Sequence, residues 1–202
     1  AAGLKVVITD HHLPAATLPA ADALVNPQQN GDQFPSKNLA GVGVIFYVML
    51  ALRHYLRSQA WFEKINISVP NMLQFLDLVA LGTVADLVSL DRNNRLLVSQ
   101  GLQWIKAGKA RPGIYALLKL AKRDVEYLVA SDLSFSIAPR LNAAGRLADM
   151  SLGIACLLET DRNRAHEFAL QLSQLNEERR SIENTMKQEA FIILEKLIEK
   201  KQ

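Results

Sequence analysis

The chain has 202 residues, 50% hydrophobic, 21% charged and 6% aromatic, with a formal net charge of +3. That is enough for a packed core of one domain or slightly more, built mostly from Leu, Val, Ile and Ala. A single cysteine excludes an internal disulfide and points to a reducing compartment; no apolar run approaches the ~18 residues that span a membrane; and the mild positive charge, spread along the chain, permits a nucleic-acid partner without arguing for one.

The opening "AAGLKVVITDHH" has no basic segment followed by a long apolar one, so no secretory signal is expected and the protein reads as soluble and cytoplasmic. Residues 4–9 form the β-branched run expected of a strand buried on both faces of a parallel sheet. Residues 13–38 hold Pro14, Pro19, Pro27 and Pro35 and read as irregular, with a brief second strand in "ALV" at 23–25. From Leu39, "LAGVGVIFYVMLALRHYLRS" reads as a helix of four to five turns, with Gly41 and Gly43 near its N-terminus, where backbone N–H groups lack partners. Asn71 is the expected cap of a helix in "NMLQFLDLVALGTVADLV". "DRNNRLLVSQGLQWIKAG" is a further helix closed by Gly108, and "RPGIYALLKLA" one that starts with Pro112 in its first turn.

Residues 123–149 read as less regular. "MSLGIACLLET" is a short helix with Cys156 as a small buried core residue. From Asp161 to Gln202 there is no Gly and no Pro. Phe168, Leu172, Leu175, Ile182, Met186, Ile193 and Leu197 recur at three- and four-residue spacings, which predicts one amphipathic helix of about 60 Å. It reads as a strut between two lobes or a coiled-coil arm. The missing initiator Met and the uncapped helical pattern in "LEKLIEKKQ" predict an internal piece of a longer protein.

Three places could carry chemistry. Asp10-His11-His12 ends the first strand, and in open α/β sheets ligands bind beyond the carboxyl ends of strands. Imidazole and carboxylate together suit borderline divalent metals. Adjacent residues of an extended chain point opposite ways, so all three are not expected on one ion; the alternative is a polar loop with each His satisfied locally. Asp86 follows an apolar helix where Gly82-Thr83 weakens it, so its carboxylate can project into a cleft, the alternative being an ordinary acid at a helix end; Asp77 reads as an ordinary residue on a polar helix face. In "APRLNAAGRL", Arg140 and Arg146 flank Asn142 and a small-residue turn. This is either a phosphate clamp or a loop with surface arginines. "AGVGV" is not a dinucleotide fingerprint, and His54 and His166 sit at ordinary helix positions.

"VITDHHLP", "LVALGTVADLVSL" and "FSIAPRLNAAGRL" occur in that order, and with them the sequence resembles the DHH phosphoesterase superfamily. More closely it is similar to that family's bacterial single-strand-specific 5′-to-3′ DNA exonucleases. The likeness covers essentially the whole chain. It implies an α/β fold: the C-terminal part of a DHH-type parallel-sheet catalytic lobe over 1–160, mostly helical in this segment, ending in a long interdomain connector helix over 161–202.

The resemblance also implies roles. His11, Asp86 and Asp10 become metal ligands, His12 approaches the scissile phosphate, and Arg140, Asn142 and Arg146 line the nucleic-acid path. The implied cofactor is a divalent metal, Mn²⁺ or Mg²⁺, as a two-metal site in the intact protein. The implied activity is hydrolysis of single-stranded DNA in repair and recombination, with single-strand-binding protein and a helicase as further partners and no membrane. Ser89 departs from the family's usual Pro. The family's two earlier Asp motifs and its Gly-Gly-His domain are not in this sequence, so Asp10, Asp86 and His11 offer one incomplete site and the chain alone is expected to be nearly inactive. Alternative readings are another DHH phosphodiesterase, of the oligoribonuclease or cyclic-dinucleotide type, and a non-catalytic DHH scaffold in a replication complex.

Overall fold

The structure is a computed structural model describing residues 3–199, with side chains described through residue 194. Contacts divide the chain into two compact units: Ala1–Ala110 with Glu126–Ser134, and Arg111–Val125 with Phe135–Gln202. Among the described residues no helix is long and apolar enough to cross a membrane.

The first unit opens with strands β1 (Val7–Thr9) and β2 (Ala23–Val25). They pair in parallel, with Val7 opposite Ala23 and Thr9 opposite Val25. The two strands were expected, but the first is shorter than residues 4–9 and is not buried as expected. Val7 is 64% exposed, because two strands among the described residues leave both faces largely uncovered.

Helix α1 (Gly41–Ser58) starts two residues later than the apolar pattern suggests, and a short α2 (Trp61–Lys64) follows. The helix expected from Asn71 begins as a 3₁₀ turn, Met72–Phe75, capped by Asn71 Oδ1 accepting the Leu73 N–H at 3.1 Å. It continues as α3 (Leu76–Ala85) and is followed by α4 (Arg92–Lys106). Leu39, Val44, Phe46, Met72, Leu76, Val79 and Leu97 form the core of this unit. Gly101 brings α4 onto α3: a methyl group there would stand 2.3 Å from the Leu76 carbonyl oxygen. Asp77, expected on a polar face, is fully buried. Leu76, Asp77, Val79, Ala80 and Leu81 are all buried in α3, so that helix has no polar face to offer it.

Asp91 caps α4, accepting the Asn94 N–H at 2.9 Å and the Ser36 hydroxyl at 2.6 Å. Buried Asn94 donates to the Asn38 and Ser89 carbonyls at 2.6 and 2.8 Å. These bonds tie the segment leading into α1 to the start of α4, and so fix where Gly41 stands.

In the second unit, α5 (Pro112–Leu120), α7 (Ala138–Leu147), α8 (Ser151–Leu158) and the first half of α9 (Arg162–Glu199) pack together. Ile114, Leu117, Leu141, Ala144, Ala165 and Leu172 are buried, as is Cys156, in line with its expected core role. The stretch 123–149, expected to be less regular, is largely helical. A short α6 (Ala130–Asp132) leads through a π-helical turn, Leu133–Ile137, into α7. Pro139 has no N–H to return to the preceding turn, and a widened turn accommodates it.

Helix α9 changes character along its length. Leu172 and Asn176 are buried, whereas Ile182, Met186 and Ile193 are 42, 62 and 59% exposed. The first half of the expected connector is therefore part of the second unit. The Leu197 side chain and residues 200–202 lie outside the described residues.

Candidate functional site

Asp10 follows β1 directly, and its N–H donates to the Val25 carbonyl at 3.0 Å, adding one step to the parallel ladder. The chain then turns. Asp10 Oδ1 accepts the N–H groups of His11 and His12 at 2.8 and 3.2 Å and lies 2.8 Å from His12 Nδ1. Such a side-chain-to-backbone turn replaces the extended course that would have alternated the side chains. The two imidazoles instead lie side by side, with centroids 4.1 Å apart and a 42° tilt. The His12 ring holds the Asp10 carboxyl below its ordinary pKa; partial burial opposes this, and the two backbone N–H groups reinforce it.

His11 is the inward member of the pair. Its side chain is 19% exposed, and Nε2 stands 3.4 Å from Asp86 Oδ2. Asp86 is the C-cap of α3, its N–H donating to the Gly82 carbonyl at 3.1 Å. Leu87 then takes a left-handed φ of 57° and ends the helix. The first residue of α1 lies against the imidazole, since a methyl group on Gly41 would stand 3.4 Å from His11 Cδ2. Thus β1, α1 and α3 together place His11. His12 is 76% exposed, and with Nδ1 engaged by Asp10 its Nε2 is the nitrogen available to a substrate.

An imidazole nitrogen and a carboxylate oxygen suit a divalent cation. Neighbouring ligands of an octahedral ion stand about 3 Å apart, close to the 3.4 Å between His11 and Asp86. Asp10 Oδ1 already has three donors, while Oδ2, among the described residues, meets only the Asn26 amide at 3.4 Å. Oδ2 is therefore the oxygen Asp10 can offer. The donors fit part of a divalent-metal site. Among the described residues, no group of three or more His, Cys, Asp or Glu side chains is arranged to hold an ion.

Arg140, Asn142 and Arg146 belong to the second unit, on α7 rather than on the small-residue turn expected there. Six residues of α-helix rotate the side-chain direction by roughly 240°, so the two arginines do not share a face. Arg140 is half-buried; it donates to the Ser136 carbonyl and, through Nε, to Ser173 Oγ at 3.1 Å. Burial and the nearby Arg180 charge lower its pKa, and Glu177 works the other way. Asn142 and Arg146 are exposed.

Nothing in the sequence pattern singles out Asn26. It is 2% exposed, immediately follows β2, and donates to the His12 carbonyl at 2.8 Å. The parallel register that sets Thr9 opposite Val25 also sets Asp10 beside Asn26, so knowledge of strand pairing would have exposed it.

The sequence model of the DHH family, N-terminal domain, matches residues 1–83. The chain is 57% identical over 195 residues to the single-stranded-DNA-specific exonuclease RecJ of Escherichia coli (strain K12), covering 96% of this chain and 34% of that protein. It is 39% identical to RecJ of Bacillus subtilis (strain 168), over 96% of this chain and 22% of the relative. The crystal structure of RecJ in complex with Mn²⁺ from Thermus thermophilus matches with a TM-score of 0.74 and 32% identity, over 92% of this chain and 26% of that one. The chain thus spans about a third of the length of the E. coli relative.

Proposed function

We propose that the protein this chain is part of is a member of the DHH family, whose N-terminal-domain model matches residues 1–83, and that it is a metal-dependent exonuclease that degrades single-stranded DNA from the 5′ end. The observation that carries this reading is the meeting of His11 Nε2 and Asp86 Oδ2 at 3.4 Å beyond the carboxyl end of β1. A nitrogen and an oxygen donor so placed hold a divalent cation, Mn²⁺ or Mg²⁺. RecJ of T. thermophilus, at 32% identity, is one relative whose structure holds Mn²⁺.

In this reading His11 and Asp86 are direct ligands, and Asp10 offers Oδ2. When bound, the metal supplies a nucleophilic water at neutral pH and charge stabilisation for the phosphate. This chain's residues do the rest. Asp10 fixes the His12 ring through Nδ1, so that Nε2 is the edge presented to the scissile phosphate. Arg146 and Asn142, exposed on α7, contact the DNA backbone. Arg140, held by Ser136 and Ser173, supports that surface and contributes positive charge.

Repair and recombination, a cytoplasmic setting, and cooperation with single-strand-binding protein and a helicase complete the proposal, since an enzyme confined to single strands needs them exposed and kept open. The exposed second half of α9 serves as the connector to a further domain. The 202 residues alone bring too few carboxylates to this site for two ions and should be nearly inactive.

The test is release of mononucleotides from 5′-labelled single-stranded DNA with Mn²⁺. The full-length protein should release them, and its His11→Ala and Asp86→Ala variants should not. Undiminished cleavage by either variant would refute the assignment, as would robust cleavage by the 202-residue chain alone.

A further inference from the structure

We infer that Asn26 is a positioning residue: its amide locks the Asp10–His12 turn into the geometry the proposed reaction uses. The inference rests on the metal-site reading above and deepens it.

Asn26 is a polar side chain with almost no solvent, at 2% exposure. Among the described residues, its hydrogen bonds lead into the site or its own turn. Nδ2 donates to the His12 carbonyl at 2.8 Å and reaches Asp10 Oδ2 at 3.4 Å; Oδ1 accepts the Gln28 N–H at 2.9 Å. Pro27 restricts Asn26 to an extended backbone, so the amide starts from a fixed base. The side chain thereby joins the end of β2 to the turn that follows β1.

The two halves of the amide do separable jobs. Oδ1 completes a local turn with Gln28, which any carboxylate or amide at this position would also do. The NH₂ group crosses to the neighbouring strand end, and only a donor can hold the His12 carbonyl there. Asp10 Oδ1 is committed to three donors, so the orientation of Oδ2 is set from the other side by Asn26. The contact at 3.4 Å is long enough to leave that oxygen available to a cation. A neutral donor is required: a carboxylate at position 26 would face both the Asp10 carboxylate and the His12 carbonyl.

The experiment compares Asn26→Ala and Asn26→Asp with the unaltered protein. Asp keeps the acceptor for Gln28 but loses the donor to His12. In metal-free ¹⁵N-labelled chain at one alkaline pH, the His12 ring should show a single tautomer with the proton on Nδ1 toward Asp10. Both variants should show a tautomer mixture. In the full-length protein, calorimetric Mn²⁺ affinity should fall about tenfold or more in Asn26→Ala, the range for partners that orient a ligand, with single-strand affinity unchanged.

A wild-type His12 spectrum in Asn26→Asp would overturn the inference, leaving Asn26 a turn residue. Loss of the folded amide fingerprint in both variants would overturn it too. If the unaltered full-length protein bound no Mn²⁺, the metal-site reading itself would fail, and the His12 spectra would still decide what Asn26 does.

Discussion

His11 Nε2 faces Asp86 Oδ2 at 3.4 Å, although one residue follows the first strand and the other ends the third helix. The pair exists because α1 and α3 pack closely: a methyl group on Gly82 would stand 2.7 Å from Val42 Cγ1. Asp86 is exposed enough, at 41% of its side chain, that it is no part of the core. Asp86→Asn in the full-length protein should therefore fold normally. It should bind Mn²⁺ at least about tenfold more weakly while fluorescence anisotropy shows unchanged single-strand affinity. A large fall in melting temperature with unchanged Mn²⁺ affinity would make the pair a structural contact.

Arg140 and Arg146 should separate in their effects. Arg140 is half-buried and donates to Ser136 and Ser173, joining α7 to α9. Arg140→Ala should lose about 1–3 kcal/mol of stability, the usual cost of leaving buried hydrogen-bond partners unmet. Arg146 is exposed on another face of α7, and Arg146→Ala should change stability by no more than about 0.5 kcal/mol. In the full-length protein it should weaken DNA binding and reduce the slope of log affinity against log salt by about one. Urea melts and salt titrations check both; equal stability losses would refute the division.

The parts of this arrangement that could be read in the sequence are those fixed by local pattern. A β-branched run marked the first strand and the brief apolar "ALV" the second, Pro112 and Asn71 marked helix starts, and the weak Gly82-Thr83 stretch placed Asp86 near a helix end. What pairing and packing decide was not legible. Asn26 matters because of the β1–β2 register, and Asp77 is buried because α3 is enclosed on every side. The stretch around Arg140, expected to be less regular, is helical, with a widened turn that absorbs Pro139. The apolar stripe of α9 is broken in the sequence by the polar run Asn176–Arg180 and then resumes, and only the contacts of α5, α7 and α8 show that its first half alone is covered.

Cys156 should be inert in the folded chain. It is fully buried, its Sγ lies 3.8 Å from the Ala165 carbonyl, and burial pushes the thiol up to about 11. At pH 8 the thiolate fraction is then about one in a thousand, and the thiolate is the reactive form. Labelling with a disulfide reagent should be negligible in native buffer and complete in denaturant. Rapid native labelling would show that α5, α8 and α9 do not close over this position.

Acid should release the α4 cap. Burial works to raise the Asp91 pKa, but the Asn94 N–H, the Ser36 hydroxyl and the Asn38 amide outweigh it, and the net shift is downward. A carboxyl lowered in the folded state contributes stability above its unfolded pKa, and that contribution is lost as pH falls through the folded value. The loss therefore lies below about pH 4. Asp91→Asn keeps an acceptor for the Asn94 N–H and should be only slightly destabilised at neutral pH, with a flatter acid dependence. Asp91→Ala should lose about 1–2 kcal/mol at neutral pH through the missing cap. Melting temperatures from pH 3 to 7 would check this. An Asp91→Asn profile parallel to that of the unaltered chain would mean that the acid sensitivity resides elsewhere, with Asp10 the next carboxyl to test, since its bond to His12 lowers its pKa in the same sense.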